Sequence, residues 1–181
     1  MHAPVQACGS GATSGGLALG AHLATSPTTT PVRVVAYTVC DSPAYFYNYI
    51  EGLFDGLGAT PEACGGASVS DMLRVVDVKG AGYAMSRDDE LQTIQRVAME
   101  TGVLLDPVYT GKAVHGLLRD MASAPEEWRG RKVLFVHTGG LLGMYDKLDQ
   151  LQPLVAGLAR CHRLLVPTET TAAASDGGAM V

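Results

Sequence analysis

Charge is scarce in this chain. Only 17% of its 181 residues are Asp, Glu, Lys or Arg, and the formal net charge is -5. No run of Lys and Arg breaks that pattern, which argues against a nucleic-acid surface. No segment reaches the ~18 uninterrupted apolar residues of a membrane-spanning helix. The N-terminus has neither a basic n-region nor an apolar h-region, so no secretory signal is expected. The cysteines Cys8, Cys40, Cys64 and Cys161 show no CxxC spacing. They read as free thiols in a reducing compartment, with the cytoplasm as the expected location. No second His or Cys stands at ligand spacing from His137, so no metal centre is expected. The chain has no internal repeat.

What is present is apolar and punctuated by glycine. Hydrophobic residues make up 47% and Gly accounts for 22 positions. That balance suits one compact α/β domain with a sizeable core. "APVQAC" is a short apolar strand running straight into "GSGATSGG". Thr13 or Ser14 is expected to cap a helix reaching about Thr25. "SPTTTP" reads as a turn, and "VRVVAYTVC" as a strand buried on both faces. "SPAYFYNYIEGLFDGLG" is a helix with Pro43 in its first turn, and "ATPEACGGASVS" is a loop. "MLRVVDV" is a strand and "KGAGYAMS" a loop, after which Ser86 is expected to cap a helix that Gly102 stops. A helix is also expected after "LLDPVYTGK", starting at Thr110 or Gly111. "KVLFVHTGG" reads as another buried strand, with a short helix following around residues 143–151. Residues 168–181 form a small-residue tail, expected to be mobile. Strands alternating with helices predict a three-layer α-β-α domain with a mostly parallel sheet.

Ligands of such sheets sit at the carboxyl ends of the strands. Three loops rich in Gly, Ser and Thr are expected there: Gly9–Gly16, Asp106–Lys112 and His137–Gly140. The first fits an anion cradle of backbone amides, hydroxyls and a helix N-terminus. It lacks the Gly-Lys-Ser/Thr of a P-loop, and Ser14 stands where a dinucleotide fingerprint needs its third glycine. A single phosphate monoester is therefore the expected ligand. The alternative is a glycine-rich turn that binds nothing. Tyr109 either aims its hydroxyl across the cleft or is a buried tyrosine satisfied by backbone, and local sequence does not separate the two. Lys112 reads as a solvated helix lysine, His137 as structural, and Cys8 as a small core residue.

"ACGSGATSGGLALG", "GVLLDPVYTGKAVHGL" and "VLFVHTGGLLGMYD", in that order, resemble the D-cysteine desulfhydrase/ACC deaminase family. These are pyridoxal-phosphate enzymes of the tryptophan synthase β-like fold, fold type II. The resemblance covers the C-terminal half of a family member. It implies that residues 1–167 are the C-terminal part of a lyase, and that the fold is incomplete. It also implies a pyridoxal 5′-phosphate cofactor and an amino-acid substrate, with a homodimer at full length. Gly9, Ser10, Gly11, Ala12 and Thr13 would hold the cofactor's phosphate. Tyr109 would be catalytic, and Thr110 and Thr138 would bind the cofactor, Thr138 facing the pyridine nitrogen. A neutral hydroxyl there makes a weaker electron sink than a carboxylate and suits β-elimination of a good leaving group such as thiolate. Deaminases carry glutamate where this chain has Thr110, which favours the desulfhydrase branch, releasing pyruvate, sulfide and ammonia from D-cysteine. None of Lys79, Lys112, Lys132 and Lys147 lies in a context like the family's Schiff-base lysine, so the chain reads as truncated and inactive alone. The alternatives are an ACC deaminase-like lyase and an inactive phosphate- or cofactor-binding half-domain.

Overall fold

The computed structural model describes residues 2–25 and 32–156. The "SPTTTP" turn from Ser26 onward, Cys161 and the tail at 168–181 lie outside the described residues. Four strands form one parallel sheet: β1 (His2–Cys8), β2 (Val34–Thr38), β3 (Leu73–Asp77) and β4 (Lys132–Val136). Their order is β3-β2-β1-β4. β1 pairs with β2 on one side, Val5 opposite Val35, and with β4 on the other, Val5 opposite Phe135.

Helices cover both faces. Helices α1 (Ala12–Ala24), α2 (Pro43–Gly56) and the short α3 (Val69–Met72) occupy one face. Their Ala18, Phe46, Ile50, Phe54 and Val69 meet Cys8, Val34, Ala36 and Val75 of the sheet. The opposite face is covered by α5 (Thr110–Ser123) and α6 (Pro125–Trp128). Ala113, Leu117 and Trp128 pack there on Val5, Val35 and Tyr37. Outside α5 lies α4 (Asp88–Thr101), and α7 (Leu148–Ala156) adds Leu151 to the cluster around Leu91, Ile94 and Leu105. A 3-10 helix (Leu141–Lys147) joins β4 to α7.

Several local expectations needed correction. Neither Thr13 nor Ser14 caps α1; the N-cap is Gly11, one residue before the helix begins. The hydroxyl of Ser86 does not cap α4 but donates to the Pro107 carbonyl at 3.1 Å. The α4 entry is closed instead by Glu90, whose carboxylate accepts from Arg87 N at 2.9 Å. Ser42 does cap α2, accepting from Tyr45 N at 3.2 Å. β2 is buried along its whole length, as its β-branched run predicts. β4 is not: it is a sheet edge, and Leu134 is 62% exposed. The other edge is blunted, because the Tyr47 hydroxyl accepts from Val75 N at 3.1 Å, which hides one strand amide from other chains.

The crossing of α5 over the sheet depends on a missing side chain. A Cβ at Gly116 would lie 2.3 Å from Val78 Cγ1 and 3.1 Å from Tyr37 Cδ1. Overpacking such a contact costs about 1–3 kcal/mol. Gly116→Val is therefore expected to lower stability by that amount in urea unfolding. Gly52→Ala, at a position with open space around it, is expected to cost nothing and to gain up to ~1 kcal/mol from helix propensity.

Candidate active site

The strand order reverses between β1 and β4. The chain leaves β1 to one side through α1 and β2, and returns on the other side as β4. A crevice must open at the carboxyl ends of those two strands, which is where open α/β sheets bind ligands. A cavity of about 550 Å³ lies there. Its wall includes Gly9, Ser10, Gly11, Thr13 and Ser14 after β1, Cys40 after β2, Thr138 to Gly140 after β4, and the rings of Tyr83 and Tyr109. Among the described residues no charged side chain lines it.

The loop after β1 is shaped by what surrounds it. Gly11 has φ +87, and a Cβ there would stand 3.0 Å from Tyr49 Cδ1; an L side chain rarely adopts that conformation. A Cβ at Gly9 would lie 2.9 Å from Tyr109 Cε1, so the tyrosine ring rests directly on the loop backbone. The Cys40 thiol donates to the Gly9 carbonyl at 3.2 Å. The first helical hydrogen bond of α1 is Gly15 N to Gly11 O, at 2.9 Å. The amides of Ala12, Thr13 and Ser14 therefore have no acceptor within the helix. The Ser14 hydroxyl oxygen accepts from Gln6 Nε2 at 2.6 Å, which anchors it to the strand beneath. Burial pushes the Cys8 thiol up from its ordinary value, with hydrogen bonding from Ser14 opposing. That keeps it protonated and inert, as a core residue.

The second wall is built by Asp106. Its buried carboxylate accepts from Val108 N at 2.8 Å, Tyr109 N at 2.6 Å and Thr110 N at 2.8 Å. It also accepts from the Thr110 hydroxyl at 2.6 Å. Gly140, at φ +94, passes so close that a Cβ would lie 2.7 Å from Asp106 Oδ2. One carboxylate thus fixes the start of α5, carrying Tyr109, against the turn carrying Thr138. This corrects the expectation for Thr110: its side chain is fully buried, committed to Asp106, and does not line the cavity. The side chain of Ala12 does not line it either, leaving its free amide as its contribution.

Other sequence expectations resolve plainly. Lys112 is not solvated but 1% exposed, with its ammonium on Lys79 O, Met85 O and Glu90 Oε2. Its burial was hidden because a lysine in the first turn of a helix normally faces water. His137 is structural: Nδ1 accepts from Gly139 N at 3.1 Å, which leaves Nε2 to donate to Leu104 O at 2.8 Å. None of the four lysines lines the cavity. Tyr83 was missed. Its hydroxyl lies 2.5 Å from that of Tyr109, with the rings edge to face. The signal available was an aromatic residue between glycines in a loop after a strand.

The hydrogen bond with Tyr83, with burial adding to it, pushes the Tyr109 phenol from 10.0 up to about 12. A raised value means that the folded state prefers the neutral phenol. The stability this contributes is complete below pH 10 and is lost as pH climbs towards about 12. Burial, reinforced by Asp120, raises the Tyr37 phenol as well, so part of the alkaline loss persists in any Tyr109 variant. Urea unfolding at stepped pH should show stability falling through this window. Tyr83→Phe should make the fall shallower; an unchanged slope would count against the coupling.

The comparisons with known proteins point one way. The family profile described as "Pyridoxal-phosphate dependent enzyme" matches residues 2–139. The chain is 46% identical over 156 residues to the bifunctional D-cysteine desulfhydrase/1-aminocyclopropane-1-carboxylate deaminase, mitochondrial, of Arabidopsis thaliana, spanning 86% of this chain and 36% of that protein. It is 35% identical over 147 residues to a putative 1-aminocyclopropane-1-carboxylate deaminase of Pyrococcus furiosus, spanning 81% of this chain and 42% of that one. A crystal structure described as an ACC deaminase homologue superposes with a TM-score of 0.68 at 30% identity, over 84% of this chain and 43% of that chain. The chain therefore spans between 36% and 43% of the length of these relatives. Among the described residues no helix is long and apolar enough to cross a membrane. With the profile spanning the whole sheet and the cavity loops, the chain belongs to the pyridoxal-phosphate dependent enzymes and has the α/β architecture of their fold type II.

Proposed function

We propose that the cavity holds pyridoxal 5′-phosphate and that the whole enzyme is a lyase acting on a small amino acid, of the D-cysteine desulfhydrase kind. The observation that carries this reading is the meeting of the Gly9–Ser14 loop, Tyr109 and Thr138 on one uncharged cavity. The donor set fits the cofactor. Three helix-start amides, the hydroxyls of Ser10 and Thr13, and the dipole of α1 all favour a phosphate dianion. Gly9 and Gly11 let the loop pass against the rings of Tyr109 and Tyr49, with no room for a Cβ at either position.

When bound, the cofactor supplies an electron sink for breaking bonds at an amino acid's α-carbon. The chain's own residues do the rest. Thr138 would offer a neutral hydroxyl to the ring nitrogen. It can hydrogen-bond there but cannot hold a positive charge as a carboxylate would, which favours an easily expelled thiolate over a harder ring opening. Tyr109 keeps its proton up to about 12. At neutral pH it is a hydrogen-bond donor and not a base, suited to hydrogen-bonding a departing thiolate. Tyr83 shares that hydrogen-bond pair and lies 51% exposed at the rim, where an incoming substrate would meet it. With no lysine on the cavity wall, we assign the cofactor's covalent anchor to polypeptide outside this chain, in a homodimeric full-length enzyme. The free thiols Cys8, Cys40 and Cys64 suit a reducing compartment.

The phosphate assignment is tested with pyridoxamine 5′-phosphate, which cannot react with surface lysines. Calorimetric titration should show saturable binding that inorganic phosphate competes away. A hydrogen bond to a charged acceptor contributes ~1.5–3 kcal/mol. Ser10→Ala should therefore weaken binding by about 10-fold or more, and Gly11→Val should abolish it. Binding indifferent to both substitutions would overturn the assignment.

The second reading, an ACC deaminase-like lyase, is favoured by the Pyrococcus furiosus relative and by the deaminase half of the bifunctional plant one. Against it stands Thr110, where the resembling deaminases carry glutamate. With the complete enzyme, sulfide release from D-cysteine should exceed 2-oxobutanoate release from 1-aminocyclopropane-1-carboxylate. The reverse ranking would assign the protein to the deaminases.

A further inference from the structure

Tyr83 sits at the middle of the loop between β3 and α4, and its ring meets that of Tyr109 edge to face. No residue from Lys79 to Met85 is buried. Its backbone is also unusual, with Gly80 at φ +64, Gly82 at +145 and Ala84 at +56. A non-glycine residue in the left-handed region persists only where its surroundings hold it. Yet the Tyr83 hydroxyl lies 2.5 Å from that of Tyr109, so something fixes the loop.

The fixing group is beneath it. Lys112 Nζ donates to Lys79 O at 2.9 Å and to Met85 O at 2.8 Å, the two ends of the loop. Its third partner is Glu90 Oε2 at 3.0 Å. An ammonium has three protons, and all are used. The loop crosses directly over this ion pair: a Cβ at Gly80 would lie 2.6 Å from Glu90 Oε1 and 3.4 Å from Lys112 Nζ. Lys112 also stands in the first turn of α5, the helix whose N-cap is Tyr109. One helical turn therefore carries one phenol of the pair and the cation that ties down the other.

We propose that Lys112 is a positioning residue, its ammonium clasping both ends of the 79–85 loop and so setting the Tyr83–Tyr109 hydroxyl pair at the cavity. The inference rests on the proposed function only for what that pair serves. The bland competitor is a buried ion pair that fills the space between α4 and α5 and leaves the loop indifferent.

The two are separated in the full chain without cofactor. Glu90→Gln keeps the ammonium on both carbonyls and retains an oxygen facing it. The double variant Glu90→Gln with Lys112→Met removes the clasp without leaving an unpaired charge, since neutral replacements for buried ion pairs are tolerated. Hydrogen exchange should be unchanged in the sheet of both variants. In the 79–85 segment it should stay near wild type for Glu90→Gln and rise about 10-fold or more for the double variant, as expected when a local tether is lost. Tyrosine ζ-carbon NMR shifts of Tyr83 and Tyr109 should move in the double variant alone. Wild-type loop exchange and wild-type ζ-carbon shifts in a folded double variant would overturn the proposal. A double variant that cannot fold while Glu90→Gln folds would also overturn it, assigning Lys112 to the core. A loop response in a chain that binds no pyridoxamine phosphate would refute the proposed function and leave the clasp standing.

Discussion

Everything on the cavity's far wall depends on one buried carboxylate accepting four hydrogen bonds. Asp106 gathers the amides of residues 108, 109 and 110 and the Thr110 hydroxyl. Those amides begin α5 and lack helical acceptors of their own. An anion at that point is also favoured by the helix dipole. The geometry leaves Tyr109 no freedom of backbone placement, and its ring then lies on Gly9. Gly140 closes the arrangement by passing within contact of the same carboxylate. The glycine loop, the tyrosine and the threonine turn are thus assembled around a group that does not itself line the cavity.

The near wall uses the opposite device. Among the described residues no lysine or arginine faces the cavity. Partial charges on fixed amides stand in for a cation, and they cost no side-chain entropy because α1 has already ordered them. A charge-free wall also leaves the reacting region's electrostatics to hydroxyls. The raised Tyr109 phenol is one result, since its nearest titratable neighbour is another phenol.

Much of this was legible in the sequence, for reasons that differ from element to element. The β1–loop–α1 unit reads directly, because glycines and hydroxyl residues between a strand and an apolar helix have few other uses. β2 reads as a buried strand because its five residues are apolar or Thr and lie between two neighbours. β4 is also mostly apolar, yet none of its residues is buried, since composition does not say whether another strand lies beyond. Ser86 looks like a cap, but the Pro107 carbonyl claims its hydroxyl. Thr110 looks like a ligand residue, but Asp106 lies four positions earlier and takes it. Lys112 and Tyr83 were out of reach because their roles come from contacts with segments more than twenty positions away.

The sheet order carries a consequence for how the molecule comes into being. β1 and β4 are the two strands farthest apart in the chain, yet they pair side by side, with His2 opposite Lys132. Contacts separated by most of the chain form late and slowly. Within this chain the glycine loop is made before Thr138 and Gly140, so one side of its crevice is missing until β4 follows. The crevice at the carboxyl ends of β1 and β4 is therefore complete only once β4 has paired with β1.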